Sequence, residues 1–319
     1  MKHPSAPLLH RRSWLSLATA AGFASWLSAP IKALAEQATT QDAHNDAHPL
    51  PYLDRLGLQL YTVRNQMADD PRATLKAIAA AGYKQVELMA IDNGALELAA
   101  IARDEGLRVH SGFLDWRCVV APETNPDWTI EQTIEMAERI GLRHVVFGYI
   151  DKPSRDTSDK CKAIADRANS AAAKTRDAGM RMAYHNHSFE FAKLDGGATT
   201  AYDIFIERFD PQLMDFELDV FWAKIGGHDP FAMMKKLAGR ITMVHLKDLK
   251  KDTPTNHDEA TVPADAFQEC GDGVLDIPAI MRLAKEIGVL ECHVEQDQSP
   301  APLDSIAQSF RFLAEASKA

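Results

Sequence analysis

Cysteine is scarce in this 319-residue chain: Cys118, Cys161, Cys270 and Cys292 are the only four. None forms a C-x-x-C pair or has zinc-finger spacing, which removes thiolate metal sites and dithiol redox chemistry from consideration. No G-x-G-x-x-G follows a strand-like run, so the phosphate loop of a doubly wound nucleotide-binding sheet is missing. No basic stripe or arginine-rich arm appears, and Asp+Glu exceed Lys+Arg by 45 to 35. Nucleic acid is therefore not an expected partner. The acidic balance suits solubility and says little about substrate.

The first 35 residues carry Lys2, Arg11, Arg12 and Lys32 and no acid. An apolar run from Trp14 to Ala29 follows the arginine pair, and Ala33-Leu34-Ala35 closes the segment. A basic head, an apolar middle and an A-x-A end predict a cleaved export signal, residues 1–35. Arg11-Arg12 followed by Ser13-Trp14-Leu15 resembles a twin-arginine signal, which carries folded proteins to the periplasm or outside the cell. An uncleaved anchor is the alternative. The run is about 16 residues, short of the roughly 20 that a span requires, and Gly22, Ser25 and Ser28 weaken it. The mature form is thus expected to have no membrane segment. Removing the leader leaves 31 basic against 45 acidic residues, a net charge of −14. Residues 36–55 are polar and aperiodic and read as a linker, with His44 and His48 as solvated tail histidines. An oxidising compartment permits three cysteine pairings, but a protein exported already folded needs none, and four free thiols are expected.

The rest, residues 56–319, fits one domain. Strand-like runs are read at Gly57–Tyr61, Gln85–Met89, Arg108–Phe113, His144–Gly148, Arg181–His185, Met214–Asp219, Ile241–His245 and Val289–Glu295. Helical stretches alternate with them, and a last one spans Leu303–Ala316. Gly82, Gly106, Gly141, Gly179, Gly239 and Gly288 each stand between a helix and the next strand, as helix-ending residues. This cadence predicts parallel strands with helical connections. Eight such units close into an α/β barrel, the (β/α)8 or TIM barrel, as a single domain; a doubly wound open sheet is the alternative. The polar stretch between Asp248 and Asp276 breaks the cadence and reads as a lid or binding loop.

Four of the strand-like runs end in side chains that bind metals or move protons: AYHNHSFE (183–190), FELD (216–219), MVHLKD (243–248) and CHVEQD (292–297). Strand ends of a parallel barrel converge on one face. Side chains alternate along a strand, so Glu217 shares a side with Asp219, His245 with Lys247, and Glu291 with His293 and Glu295. Such groups on one face of a central strand are costly unless they serve a site. Carboxylates and a histidine from consecutive strands suit one divalent ion, Mn²⁺, Mg²⁺, Co²⁺ or Zn²⁺. His185, His187 or Glu190 would complete the set.

HNHSFEF (185–191), ELDVFW (217–222), HLKD (245–248) and EQD (295–297) resemble the xylose-isomerase-like TIM-barrel superfamily. It includes sugar phosphate isomerase/epimerase-type proteins, inosose dehydratases and ketose 3-epimerases. GLQLYTVR (57–64) and AGYKQVEL (81–88) resemble the first two strands of the same family. The resemblance implies a metal held by Glu, Asp, His and Glu. Asp219, His245 and Glu295 match three of these. The fourth departs: His185 stands at the usual strand-end Glu, and Glu190 follows in the turn. Glu190 is the preferred fourth ligand because it keeps the ligand type. The departure resembles the branch of dehydratases and 3-keto-glycoside-processing enzymes.

The chemistry that follows is proton abstraction next to a sugar carbonyl, the step shared by isomerases, epimerases and lyases. His185 and His187 are the candidate proton carriers. Lys247 is expected to steady negative charge on the substrate oxygen. Gln59, Tyr61, Glu87 and Trp222 are the expected sugar contacts, with Trp116 as a further stacking candidate. The partner is a small carbohydrate; a non-catalytic sugar-binding barrel and an abasic-site endonuclease are the other readings. Oligomeric state is not legible in the sequence.

Overall fold

The computed structural model describes residues 49–124 and 128–318. Residues 1–35, expected as an export leader, and His44 and His48 lie outside the described residues. Eight parallel strands close a barrel: β1 (Gly57–Gln59), β2 (Gln85–Leu88), β3 (Arg108–Phe113), β4 (His144–Phe147), β5 (Arg181–His185), β6 (Met214–Asp219), β7 (Ile241–Leu246) and β8 (Glu291–Val294). β8 pairs with both β7 and β1, so the described barrel has no open edge. No described helix is long and apolar enough to cross a membrane.

Local signals in the sequence account for the outer helices. Asp70 caps the helix Pro71–Ala81, accepting a hydrogen bond from Ala73 N, with Pro71 at the first helical position. Thr129 and Gln132 form a reciprocal capping box at the start of Ile130–Ile140, and Thr200 with Asp203 does the same for Ala201–Arg208. All six helix-ending glycines have φ between 79° and 118°, a region that costs other residues a Cβ clash. Each therefore ends a helix where the chain turns back to the barrel.

Two layers of apolar packing result. Helix faces cover the strands' outer sides through residues such as Leu75, Ile78, Ile164, Phe205, Ile280 and Leu313. Inside the barrel lies a small apolar cluster of Val146, Ala183 and Met243 with Phe113 against it. The interior above and beside that cluster is polar, which shapes everything functional below. All four cysteines are buried, and Cys161, Cys270 and Cys292 are free thiols.

The chain joins this body earlier than the polar composition of 36–55 suggests. Leu50 and Tyr52 are 2% and 3% exposed, and the Tyr52 hydroxyl donates to Val289 O at 2.7 Å. Leu50 N also donates to Ser317 Oγ at 2.8 Å; these two apolar side chains and two hydrogen bonds dock the segment, and composition averaged over 20 residues hides them. The linker reading therefore stops short of residue 50.

Gly57 has a packing reason to be glycine. A Cβ there would sit 2.1 Å from His293 Cδ2 and 2.9 Å from Gln85 Cγ. Gly57 and His293 are paired across β1 and β8, so the imidazole lies over the bare Cα. Gly57→Ala is expected to destabilise the protein by about 1–3 kcal/mol, the usual cost of overpacking a filled interior. Urea unfolding of wild type and variant, compared at equal slope, measures this.

Candidate active site

The polar interior is built around one imidazole. His245 on β7 is paired in register with Asp219 of β6 on one side and His293 of β8 on the other. It is fully buried, and both ring nitrogens face carboxylates. Nδ1 lies 2.9 Å from Glu295 Oε2; Nε2 lies 2.8 Å from Glu87 Oε1 and 3.3 Å from Glu217 Oε1. Burial opposes a charge on this ring. The Glu217 and Glu295 carboxylates outweigh it and raise His245 well above the usual histidine range; an ion held in the first group would take the place of its Nδ1 proton.

Two groups of possible metal ligands share His245. In the first, His185, Asp219, His245 and Glu295 offer donor atoms that all lie within 4.8 Å of one another. The second consists of Glu87, Glu217, His245 and His293 under the same limit. Backbone irregularities occur at Val86/Glu87 and Phe216/Glu217, immediately at two of these acids. Such bulges re-aim side chains next to functional sites.

The first group opens to the outside and fits a divalent ion. It offers two imidazoles and two carboxylates from neighbouring strand ends. Burial, then the nearby His245 and His187 rings, push His185 well below its ordinary value, so its ring is neutral and can donate a lone pair. Asp219 also caps the following helical turn, accepting from Trp222 N at 2.8 Å, which aims its carboxylate. Gly148, at the end of β4, gives the first group room: a Cβ there would lie 2.2 Å from Phe113 and 3.3 Å from His185 Cβ.

Glu190, the expected fourth ligand, belongs to neither group. Its Oε1 accepts from the Tyr184 hydroxyl at 2.7 Å and its Oε2 from His187 N at 2.9 Å. It ties the HNHSFEF turn to β5, and His185 stands in the first group where Glu190 was expected. The strand tip ends at His185, and the turn beyond it carries Glu190 back under the tip. Burial raises the Glu190 carboxyl to about 7.

A cavity of about 440 Å³ lies over the first group, large enough for a small sugar. Gln59, Tyr61, His187 and Trp222 line it as expected, and so does Lys247. Gln59 is already engaged: its amide donates to Glu87 Oε1 at 2.8 Å and its carbonyl accepts from Tyr61 N. Glu87, expected as a sugar contact, does not line the cavity. It is fully buried beneath the cavity, held by Gln59 and His245. It stands inside the barrel on β2, two residues before Met89, which does line the cavity. Trp116 packs edge-on to Tyr149, outside the cavity lining.

Lys247 also differs from its expected role. Its ammonium lies 3.1 Å from Asp219, 2.8 Å from Glu295 and 2.8 Å from Asp297. Burial disfavours the charge, but these three carboxylates keep it protonated well above the normal lysine range. It clamps two members of the first group rather than reaching free into the cavity. His187 stacks on Phe189 at 5.3 Å and lies 5.1 Å from the His185 ring. Burial and the Lys247 charge push its imidazole down to about 3, so it is an uncharged acceptor at neutral pH and a weaker base than an ordinary histidine.

The segment after β7 forms one wall. Asp248 accepts from Leu249, Gly271, Gly273 and Leu275 backbone N–H groups at 2.8–3.1 Å, pinning both ends of the loop. Between them, Glu259, Ala260, Val262 and Phe267 face the cavity. Arg155 anchors Glu259 at 3.0 Å and sits 3.5 Å over the Phe189 ring. The sequence carried no local signal for Glu259 or Phe267, since loop residues have no periodicity. Alternation along β6 and β8 did mark Glu217 and His293 as inward-facing.

These features define a parallel α/β barrel with a candidate metal centre at its strand ends. The chain belongs to the xylose isomerase-like TIM barrel family, whose model matches residues 75–316. Among characterised relatives, an inosose dehydratase of Clostridium perfringens is 25% identical over 187 residues, 54% of this chain and 62% of that protein. The match thus spans about three-fifths of that relative. A solved sugar phosphate isomerase/epimerase from Parabacteroides distasonis shares the fold with a TM-score of 0.67 and 22% identity, covering 83% of this chain and 96% of its own. A xylose isomerase-like barrel from Mycobacterium smegmatis, solved in complex with magnesium, has a TM-score of 0.57 at 16% identity, over 77% of this chain and 88% of its own.

The buried Glu190 carboxyl gives a pH test. Its folded value, about 7, is above the ordinary 4.5. The fold therefore favours the protonated form, and its contribution is full below pH 4.5 and is lost as pH rises through 7. Glu190→Gln should flatten that decline. Thermal melts at pH 5 and pH 8 should show a smaller drop in Tm for the variant than for wild type.

Proposed function

We propose that the protein is a divalent-metal-dependent carbon–oxygen lyase acting on an unphosphorylated keto-sugar or related cyclic hydroxy-ketone. The observation that carries this reading is the buried His185–Asp219–His245–Glu295 group beneath a sugar-sized cavity with His187 on its wall. Two imidazoles among four donors favour Zn²⁺, Mn²⁺ or Co²⁺ over Mg²⁺. Such an ion supplies positive charge that acidifies a C–H next to a carbonyl.

The remaining work falls to the chain's own side chains. His187, neutral and lining the cavity, accepts the proton from that carbon. The electron pair left behind moves toward the carbonyl oxygen, then returns to form a carbon–carbon double bond as the C–O bond of the next carbon breaks, and the departing hydroxyl or glycosidic oxygen takes back the proton held on His187. Lys247 holds Asp219 and Glu295 in place. Trp222 presents an indole N–H without a protein partner, suited to a sugar hydroxyl. Epimerisation asks for a second base on the opposite face of the carbon. With His185 in the ligand group, His187 is the one imidazole left on the cavity wall among the described residues. That favours elimination, as does similarity to the inosose dehydratase.

The lining argues for an uncharged substrate. It contains Glu259, Glu295 and Asp297, no arginine, and one lysine already paired with three carboxylates. A phosphate would meet no free cation there. Export through the Arg11-Arg12 leader, which we also propose, agrees with this, since phosphorylated intermediates are mainly cytoplasmic. Replacing both arginines by lysine should hold the protein in the cytoplasm; unchanged export sinks the twin-arginine assignment.

Proton abstraction is tested by NMR of keto-sugars in D₂O with the metal-loaded protein. Loss of substrate to a dehydrated product supports a lyase. His187→Ala should lower kcat by about 10²–10⁴-fold with metal content unchanged. Lys247→Met should instead lower bound metal, because it frees Asp219 and Glu295. If wild type forms no product and exchanges no solvent deuterium into the sugar, the barrel is a binding protein; if His187→Ala leaves turnover unchanged, His187 is not the base.

A further inference from the structure

We infer a second metal site deeper in the barrel, formed by Glu87, Glu217 and His293 beneath His245, that takes a divalent transition-metal ion. The four side chains come from β2, β6, β8 and β7 and each is fully buried. Their donor atoms lie within 4.8 Å of one another, on the Nε2 side of the ring whose Nδ1 faces the first group.

Unpartnered atoms within this group point to a ligand. Neither ring nitrogen of His293 has a hydrogen-bond partner. Glu87 Oε2 and Glu217 Oε1 also lack one. A buried polar atom left without a partner costs about 1–3 kcal/mol, more if charged. The two nitrogens of one imidazole point apart, so one of them, with an oxygen from each acid, can meet a ligand, and leaving such buried atoms without an occupant is expensive. Two carboxylates would neutralise a divalent ion, and an imidazole among the donors favours Zn²⁺, Co²⁺ or Mn²⁺ over Ca²⁺. The fold makes room for the ligand: His293 fits because β1 offers a bare Gly57 beneath it. Glu87 and Glu217 follow the two strand irregularities that turn them inward.

A single ordered water is the competing occupant. It would satisfy two to four of these atoms by hydrogen bonds, and it leaves no anomalous signal.

The protein, stripped with chelator and reloaded with Zn²⁺, is tested by metal analysis and by anomalous diffraction at the zinc edge. Two ions per chain are expected, with one anomalous peak among His185, Asp219 and Glu295 and a second among Glu87, Glu217 and His293. His293→Gln and Glu217→Gln should each remove the second peak and leave the first. Asp219→Asn should do the reverse. A single peak in the upper position at saturating Zn²⁺, or a lower peak that survives His293→Gln, overturns the inference. Should the variants not fold, the wild-type map alone decides. A lower peak without an upper one would support this site and count against the upper metal on which the proposed function rests, so the two readings fail separately.

Discussion

Burying ionisable groups in the middle of a barrel is possible only if each finds a partner of opposite charge or a hydrogen bond, and the His245 imidazole is where that requirement is met. It lies fully buried between Glu295 above and Glu87 and Glu217 below. Removing one member of such a set leaves an uncompensated charge, which is far more damaging than replacing the set with apolar groups. The neighbours follow from this. Lys247, two residues further along the same strand, balances Asp219, Glu295 and Asp297. The result is a column of alternating charge along β7, with acids from β2, β6 and β8 around it.

That column explains why the interior departs from a packed apolar barrel. Interiors of parallel barrels are usually filled by branched aliphatic side chains. Here Val146, Ala183 and Met243 with Phe113 fill one sector. Glycines stand at two places where a large ring must enter: Gly57 under His293 and Gly148 beside Phe113 and His185. Both glycines answer to packing, and neither has a positive φ.

Periodicity and glycine spacing made the architecture legible. Strand and helix positions read from the sequence agree with the structure within about two residues, because most of the long helices carry a capping side chain and most end at a glycine before the next strand. Asp219, His245 and Glu295 were legible for the same reason: alternation along a strand fixes which side chains face inward. Glu190 was not, because it lies past the strand end, where the path of a turn decides its direction. Glu87 was misread for a different reason. Alternation says that a residue faces the interior but not how far below the mouth it stands. Lys247 was placed correctly but assigned too much freedom. Its three carboxylate partners come from two other strands, Asp219 on β6 and Glu295 and Asp297 past the end of β8, and the count of charges around it emerges only when the barrel closes. Tyr52 shows the limit of composition, since one hydroxyl bonded to Val289 O attaches a segment that reads as linker.

The loop after β7 follows from the same charge logic. Asp248 is the residue after Lys247, yet it plays no part in the column; four backbone N–H groups of the loop surround its carboxylate. Gly273 permits that approach, since a Cβ there would lie 2.2 Å from Asp248 Oδ1. With both ends of the loop fixed on one side chain, its middle is free to be specialised. It contributes Phe267, stacked on Phe221 at 4.4 Å, and Glu259, held by Arg155. The wall is therefore apolar near Trp222 and acidic near Tyr149, and it adds no free cation. A barrel whose base is fixed by buried charge can change its substrate by changing this wall alone. The wall rests on the rim through Asp248, while the ligand group below is held by β5 to β8.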